Sequence, residues 1–135
     1  MLPLHCNLFV YGTLMSPRLM LRVTGRRFAA QSARLHHAKC FLLNGKPYPG
    51  LRRDSSGMVE GILYRRVPRR VVKKLDRFEA DYYVRQPGWC EVLPEGGCHC
   101  PVELYWLRQR YVNRLSSVFW PLNELRTRGI YSRLT

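Results

Sequence analysis

Apolar, aromatic and β-branched residues fill Leu8-Phe9-Val10-Tyr11, and the run stops at Gly12-Thr13. The pattern predicts a buried strand over Cys6 to Tyr11, broken where a helix is about to begin. Ser16 suits an N-cap, Pro17 the first helical position and Gly25 the C-cap, which predicts a short helix over Ser16 to Thr24. The backbone N–H groups of Gly12 to Leu14 then lie between strand and helix, where they can donate to an anion. In most α/β proteins such a turn is only a connection.

Further along, Arg27 to Leu35 and Cys40 to Leu43 predict two strands flanking His36-His37. Asn44 to Gly50 is dense in turn formers, and Asp54-Ser55-Ser56-Gly57 predicts a second turn before a core strand over Met58 to Tyr64. Gly61 marks a bulge or a close backbone approach in that strand. Pro68 opens a helix that runs to about Glu79, with Val71, Val72, Leu75 and Phe78 on one side. At about 100° per residue, Glu79 falls within that apolar stripe. A core-facing carboxylate in the last helical turn has its pKa raised by burial and by the helix dipole. Tyr83 to Leu93, a turn at Pro94-Glu95-Gly96-Gly97, and Cys98 to Leu107 predict a hairpin with Val102, Leu104 and Trp106 on one side. Tyr111 to Thr135 predicts helical turns interrupted by Pro121 and packed back on the sheet.

Composition bounds this picture. A chain of 135 residues, 46% of them hydrophobic, predicts a single domain over 1–135, and no internal repeat or linker divides it. No segment approaches the ~20 apolar residues of a membrane span, and the N-terminus lacks a signal-peptide pattern, which predicts a cytoplasmic protein with no membrane partner. Five cysteines without a secreted-domain framework predict reduced thiols. The formal charge of +14 suits acidic partners. Arginines are scattered along the chain, but Arg69, Arg70, Lys73, Lys74 and Arg77 recur at helical spacing as a basic stripe. Such a stripe docks a polyanion or is a solvated helix face; no aromatic residues interleave with it as RNA stacking requires, which favours the solvated face.

Candidate chemistry is sparse outside Glu79. Cys90, Cys98, His99 and Cys100 lack the paired Cys-x2-Cys knuckles of structural zinc sites and read as strand and turn residues, so no metal is expected. His5 and His36-His37 stand in no ligand or nucleophile motif, and Ser16 and Ser55-Ser56 sit in no nucleophile elbow.

Taken together, Tyr11-Gly12-Thr13-Leu14 after a strand, Tyr48-Pro49-Gly50, Val59-Glu60-Gly61-Ile62-Leu63-Tyr64, and Leu75-Asp76-Arg77-Phe78-Glu79 followed by Tyr83 and Arg85 form a constellation. It resembles the γ-glutamylcyclotransferase-like (AIG2-like) family over roughly residues 8 to 85. The resemblance implies an α+β fold, a small mixed β-barrel of about five or six strands with flanking short helices. It also implies a cofactor-free enzyme that cyclises a small-molecule γ-glutamyl amide or amine to 5-oxoproline. Glu79 would then be the catalytic acid/base, with Tyr11, Gly12, Thr13, Leu14, Tyr48 and Tyr83 lining the substrate pocket. The family commonly carries Phe-Glu-Gly where this chain has Ala80; alanine is harmless in helical backbone and strained by about 1 kcal/mol at positive φ. Two alternatives stand beside this. Glu79 could be a structural carboxylate satisfied by Arg85 or a tyrosine hydroxyl. The scaffold could also be a non-catalytic module docking RNA or another polyanion through the basic helix face.

Overall fold

A computed structural model describes residues 4–94 and 97–120 of the chain. Six strands and two α-helices follow in the order β1 (His5–Val10), α1 (Pro17–Thr24), β2 (Ala30–Leu43), β3 (Pro49–Pro68), α2 (Arg69–Glu79), β4 (Tyr83–Val92), β5 (Cys98–Leu107) and β6 (Leu115–Phe119). Short 3-10 turns at Thr13–Met15 and Gln109–Arg114 precede α1 and β6. The strands form one sheet in the order β3-β1-β5-β4-β2-β6, and an additional β2–β3 pairing joins the far strands so that five of them run round a closed ring. The sheet is mixed: β1 and β5 are parallel at Leu8 and Glu103, and the other pairings are antiparallel.

The N-terminal unit forms as its residues dictate. The Ser16 hydroxyl accepts from the Leu19 N–H, Pro17 occupies the first turn, and Gly25 closes α1 in the left-handed conformation at φ 78°. The β4–β5 strands keep the expected bounds to within one residue, with Tyr83 opposite Leu107 and Val92 opposite Cys98, and Glu95 and Gly96 of the expected turn lie outside the described residues. Gly61 is the close approach the sequence marks: a Cβ there would stand 2.3 Å from the Val10 carbonyl oxygen and 2.6 Å from Phe9 Cζ. Only hydrogen fits between β3 and β1.

Three expectations change. Residues 30–43 form one strand rather than two, because β2 continues through His36-His37 by way of a bulge: His36 pairs with Met58 and Ala38 with Arg53. Four residues, Asp54 to Gly57, thus oppose His37 alone. The Asp54 carboxylate accepts from the Ser56 N–H and hydroxyl, so the turn chemistry is present but is absorbed inside the 20-residue β3. At the far end, Tyr111 to Arg114 is helical as expected, in the 3-10 turn, but Leu115 to Phe119 is a strand on the edge of β2; residues 121–135 of that expected segment lie outside the described residues.

Burial divides into two clusters. One draws Phe9, Ala33, Leu63, Cys90 and Leu104 from all five ring strands, with no helical residue, and fills the ring. The other places Leu19 and Met20 of α1 and Val71, Val72 and Leu75 of α2 against Leu8, Val10, Tyr64 and Leu107 on the sheet. Neighbouring residues Leu8 and Phe9 of β1, and Leu104 and Tyr105 of β5, therefore serve opposite cores. At about 25 cal/mol per Å2 of apolar area, each fully buried Leu or Val contributes roughly 1.5–3 kcal/mol. The second cluster is what fixes α2 against the strand ends.

Candidate active site

The strand end, the 44–50 turn and the last turn of α2 meet around a cleft of about 230 Å3. Tyr11, Gly12, Thr13, Leu14, Tyr48, Glu79 and Tyr83 all line it, so residues separated by up to 72 positions of sequence share one cavity. Phe9, Val10 and Pro49, and with them Phe78, Asp81, Tyr82 and Tyr105, complete the wall. Sequence reasoning gives no site role to any of these seven. Tyr82 and Asp81 sit in the turn after α2 and Tyr105 within a regular hairpin strand, where spacing carries no sign of a pocket; Phe78 was assigned to the core.

Phe78 is 48% exposed, because α2 ends on the cleft rather than under the sheet. Val71, Val72 and Leu75 keep the expected buried face. Arg69 also leaves its expected place on the solvated stripe: its guanidinium pairs with Glu103 at 2.6 Å, while Arg70, Lys73, Lys74 and Arg77 are exposed.

The loop side of the cleft is held by several unrelated contacts. Beyond Gly12 the chain makes a 3-10 turn in which the Met15 N–H donates to the Gly12 carbonyl. The N–H groups of Thr13 and Leu14 start that turn and so lack intrahelical acceptors. Trp120 Nε1 donates to the Tyr11 carbonyl, and the Tyr64 hydroxyl donates to the Leu14 carbonyl. Gly12 lies against Pro49, where a Cβ would stand 2.9 Å from Cγ. The loop can press on the Tyr48-Pro49 wall only with glycine there. Tyr83 secures the same wall from beneath, donating its hydroxyl to the Pro49 carbonyl. Its hydroxyl oxygen keeps acceptor capacity, but its proton is engaged.

Glu79 stands apart from this web. Residues 76 and 79 are one helical turn apart, yet their carboxylates have opposite surroundings. Burial pushes Asp76 up, but hydrogen bonds from Arg85 and Tyr105 and the charges of Arg85 and Arg69 outweigh it and hold Asp76 below the usual carboxylate range. The Arg85 guanidinium bonds both Asp76 oxygens, at 2.9 and 3.0 Å, and also pairs with Glu103. For Glu79 the only resolved cause is desolvation, which raises its pKa from 4.5 to about 7. The residue is partly exposed while its carboxyl end is crowded by protein atoms; the raised pKa follows the carboxyl's surroundings rather than the residue average.

The structural alternative for Glu79 assigned its neutralisation to Arg85 or a tyrosine. Arg85 is engaged by Asp76 and Glu103, and the hydroxyls of Tyr11, Tyr64, Tyr83 and Tyr105 donate to Tyr105 O, Leu14 O, Pro49 O and Asp76 Oδ1. Among the described residues, the Glu79 carboxyl takes part in no side-chain hydrogen bond or ion pair. Ala80 adopts φ −55° and ψ −32°, ordinary right-handed helix, so alanine is unstrained there. Arg108 Nε donates to the Ala80 carbonyl at 2.8 Å and satisfies an otherwise orphaned group of the helix end.

These features define a class: a mixed α+β scaffold that holds an unpaired, desolvated carboxyl across a small tyrosine-lined cleft from a loop of backbone amides. The chain belongs to the γ-glutamyl cyclotransferase, AIG2-like family, whose model matches residues 8–122. An Arabidopsis thaliana protein known from a solution structure is similar at TM-score 0.80 and 24% identity, over 98% of this chain and 79% of that one. A structure described as γ-glutamyl cyclotransferase aligns at TM-score 0.65 and 15% identity, over 78% of this chain and 73% of its own. A mouse AIG2-like protein aligns at 0.60 and 21%, over 87% and 80%. At these identities the likeness establishes the fold. No curated protein matches the chain by sequence. Among the described residues, no helix is long and apolar enough to cross a membrane.

Proposed function

We propose that the chain is a γ-glutamyl cyclotransferase acting on a γ-glutamyl amide or amine, with Glu79 as its acid and base. The observation that carries this reading is the Glu79 carboxyl, unpaired in the cleft with a pKa of about 7. A carboxyl of that pKa accepts and returns a proton near neutral pH, which a solvated carboxylate does poorly.

Cyclisation needs both transfers. The substrate's α-ammonium must lose a proton before its nitrogen can attack the γ-carbonyl, and Glu79 accepts it. The new C–N bond closes a five-membered ring and places negative charge on the former carbonyl oxygen, where N–H groups of the Thr13-Leu14 turn can donate. As the carbonyl re-forms, the bond to the leaving nitrogen breaks and Glu79 returns the proton to that nitrogen, while the ring nitrogen gives up its second proton to water, leaving 5-oxoproline and a free amine. Nucleophile and electrophile belong to one molecule, so the cleft has mainly to fold it. Confinement to an attack geometry alone accounts for rate factors as large as those of intramolecular reactions. Tyr48, Tyr82 and Phe78 supply apolar wall against the chain of the substrate, and Tyr83 fixes that wall through Pro49.

The test is release of 5-oxoproline from a set of γ-glutamyl amino acids, peptides and amines by wild type and Glu79→Gln side by side. Turnover of at least one compound by wild type and its loss in the variant support the reading. Equal release by both proteins overturns Glu79 as the relay; no release from any compound overturns the activity.

A further inference from the structure

A second cleft, sharing no residue with the first, opens across β2, β3, β4 and β5 with a volume of about 590 Å3. His36, His37, Arg53, Trp89, His99 and Trp106 line it over a floor that includes Leu35 and Leu104. Its size lies in the range of about 300–1,000 Å3 typical of small-molecule sites.

Several local irregularities serve this cleft. His36 and His37 are consecutive in β2, and regular alternation would send them to opposite faces of the sheet. Both line the cleft instead, because His37 sits in the bulge at φ 65°, a left-handed conformation that histidine adopts only occasionally. The rings of His36 and His37, and of His36 and His99, stand 6.2 Å apart. On β4, Gly88 lies within the continuous strand opposite Val102, and a Cβ there would come within 2.7 Å of Leu104 Cδ2, so no side chain covers the floor there. Beside this gap Trp89 is 62% exposed. Arg53 lies 4.5 Å from the centroid of the Trp106 ring, which steadies a cation at the cleft.

The chemistry of the lining is one-sided. It holds cationic or hydrogen-bonding groups and open indole surface, and no carboxylate. Glu91 is engaged outside the lining by His36 at 2.8 Å and by Arg34 at 3.8 Å. Two of the imidazoles already act as hydrogen-bonding groups, His36 toward Glu91 and His37 toward the Ser55 carbonyl. An exposed indole, Trp89, and a guanidinium, Arg53, lining one cleft fit a planar ring that carries an anionic group.

We propose that this cleft binds a nucleotide unit, its base stacked on Trp89 and its phosphate held by Arg53 with the neighbouring histidines. The charge of +14 draws such ligands to the molecule, and the cleft adds the stacking surface that the exposed basic residues of α2 lack. The unit is either a free nucleotide or one residue of a single strand.

Equilibrium dialysis at low salt separates these outcomes, using adenosine 5′-monophosphate, adenosine, inorganic phosphate and a short oligoadenylate. The monophosphate is expected to saturate one site per chain, with adenosine and phosphate each markedly weaker. Trp89→Ala weakens it at least about fivefold, the smaller end of what one base–aromatic stack contributes. Arg53→Gln narrows the gap between monophosphate and adenosine. Tighter binding of oligoadenylate than of monophosphate assigns the cleft to a strand; equal binding assigns it to a free nucleotide. Absence of saturable binding overturns the proposal, as does binding that survives both variants and vanishes when Arg70, Lys73, Lys74 and Arg77 are replaced by Gln. Trp89 and Arg53 are both exposed, and thermal unfolding of each variant confirms that the protein tested is folded.

Discussion

The two clefts of this molecule differ in charge, yet each is built around a residue its surroundings do not favour. The first holds Glu79 and Asp81, and no Lys, Arg or His lines it; the second holds Arg53 and three histidines, and no carboxylate. In the first the unfavourable feature is electrostatic, a desolvated carboxyl whose natural partner, Arg85, is bound to Asp76 and Glu103 instead. In the second it lies in the backbone, where His37 sits at φ 65°. His37 is one of two non-glycine residues at positive φ among the described residues, and the other, Arg66 at φ 56°, lines neither cleft; it is the coincidence of the His37 backbone with a cleft lining that suits a functional site. The contrast also explains why a γ-glutamyl zwitterion and a phosphate would not compete for one cleft.

The largest effect that tests this contrast is catalytic. Glu79→Gln keeps the shape of the side chain and removes its titration, so kcat for the best γ-glutamyl substrate should fall by about 10²–10⁴, the range for loss of a general acid/base. In wild type, kcat/KM should rise with pH through about 7, as Glu79 becomes the carboxylate that accepts the proton. A loss below about tenfold, or a profile flat between pH 6 and 8, would show that the cleft does not use this carboxyl.

The same substitution gives a second measurement that needs no substrate. A carboxyl whose folded pKa is raised favours its protonated form in the native state, so its contribution is fully present below about 4.5 and is lost as pH rises through about 7. Glu79→Gln, uncharged throughout, should therefore gain on wild type across that window by up to about 3 kcal/mol, from a difference of about 2.5 units at about 1.36 kcal/mol each. Urea unfolding at pH 5 and pH 8 reads it. If wild type gains relative to the variant at the higher pH, Glu79 has a partner when charged and the first half of the comparison fails.

How much of this was open to sequence reading follows from the range of the forces. Ser16, Pro17 and Gly25 act on their own helix, and α1 appeared where they placed it; the apolar spacing of Val71, Val72 and Leu75 likewise located α2, and with it Glu79. The unbroken β2 did not show, because the residues that carry the bulge, His36-His37 and Asp54 to Gly57, look locally like two loop signals and meet only across the sheet. Phe78 was misplaced because helical period gives the face but not where the neighbouring layer ends. The second cleft stayed hidden for the strongest form of that reason: its lining comes from four strands, and His36 and His37 share a side only through a φ value that spacing does not report.

A smaller effect tests how the first cleft keeps its wall. Tyr83→Phe removes the donor to the Pro49 carbonyl and leaves that oxygen without it. A stability loss of about 1–2 kcal/mol is expected from a buried acceptor left without its donor. Because the substituted group holds the wall through Pro49, KM should rise more than kcat falls. An equal fall in kcat with KM unchanged would place the hydroxyl on the reacting atoms instead.

The smallest effect addresses the backbone half of the comparison. Glycine adopts φ near 65° freely, whereas a side chain there costs on the order of 1 kcal/mol. His37→Gly should therefore leave stability unchanged or raise it by up to about 1 kcal/mol, despite the loss of the contact between His37 Nδ1 and the Ser55 carbonyl at 3.1 Å. That contact is exposed, so little stability goes with it. A clear drop in the unfolding midpoint would mean that the imidazole stabilises the bulge itself, and the second cleft would then be a by-product of strand pairing. A gain would mean that this chain keeps a histidine where its own backbone favours glycine, as it keeps a carboxylate at position 79 where a neutral amide would be more stable at neutral pH. The two clefts would then share a physical signature despite their opposite charge.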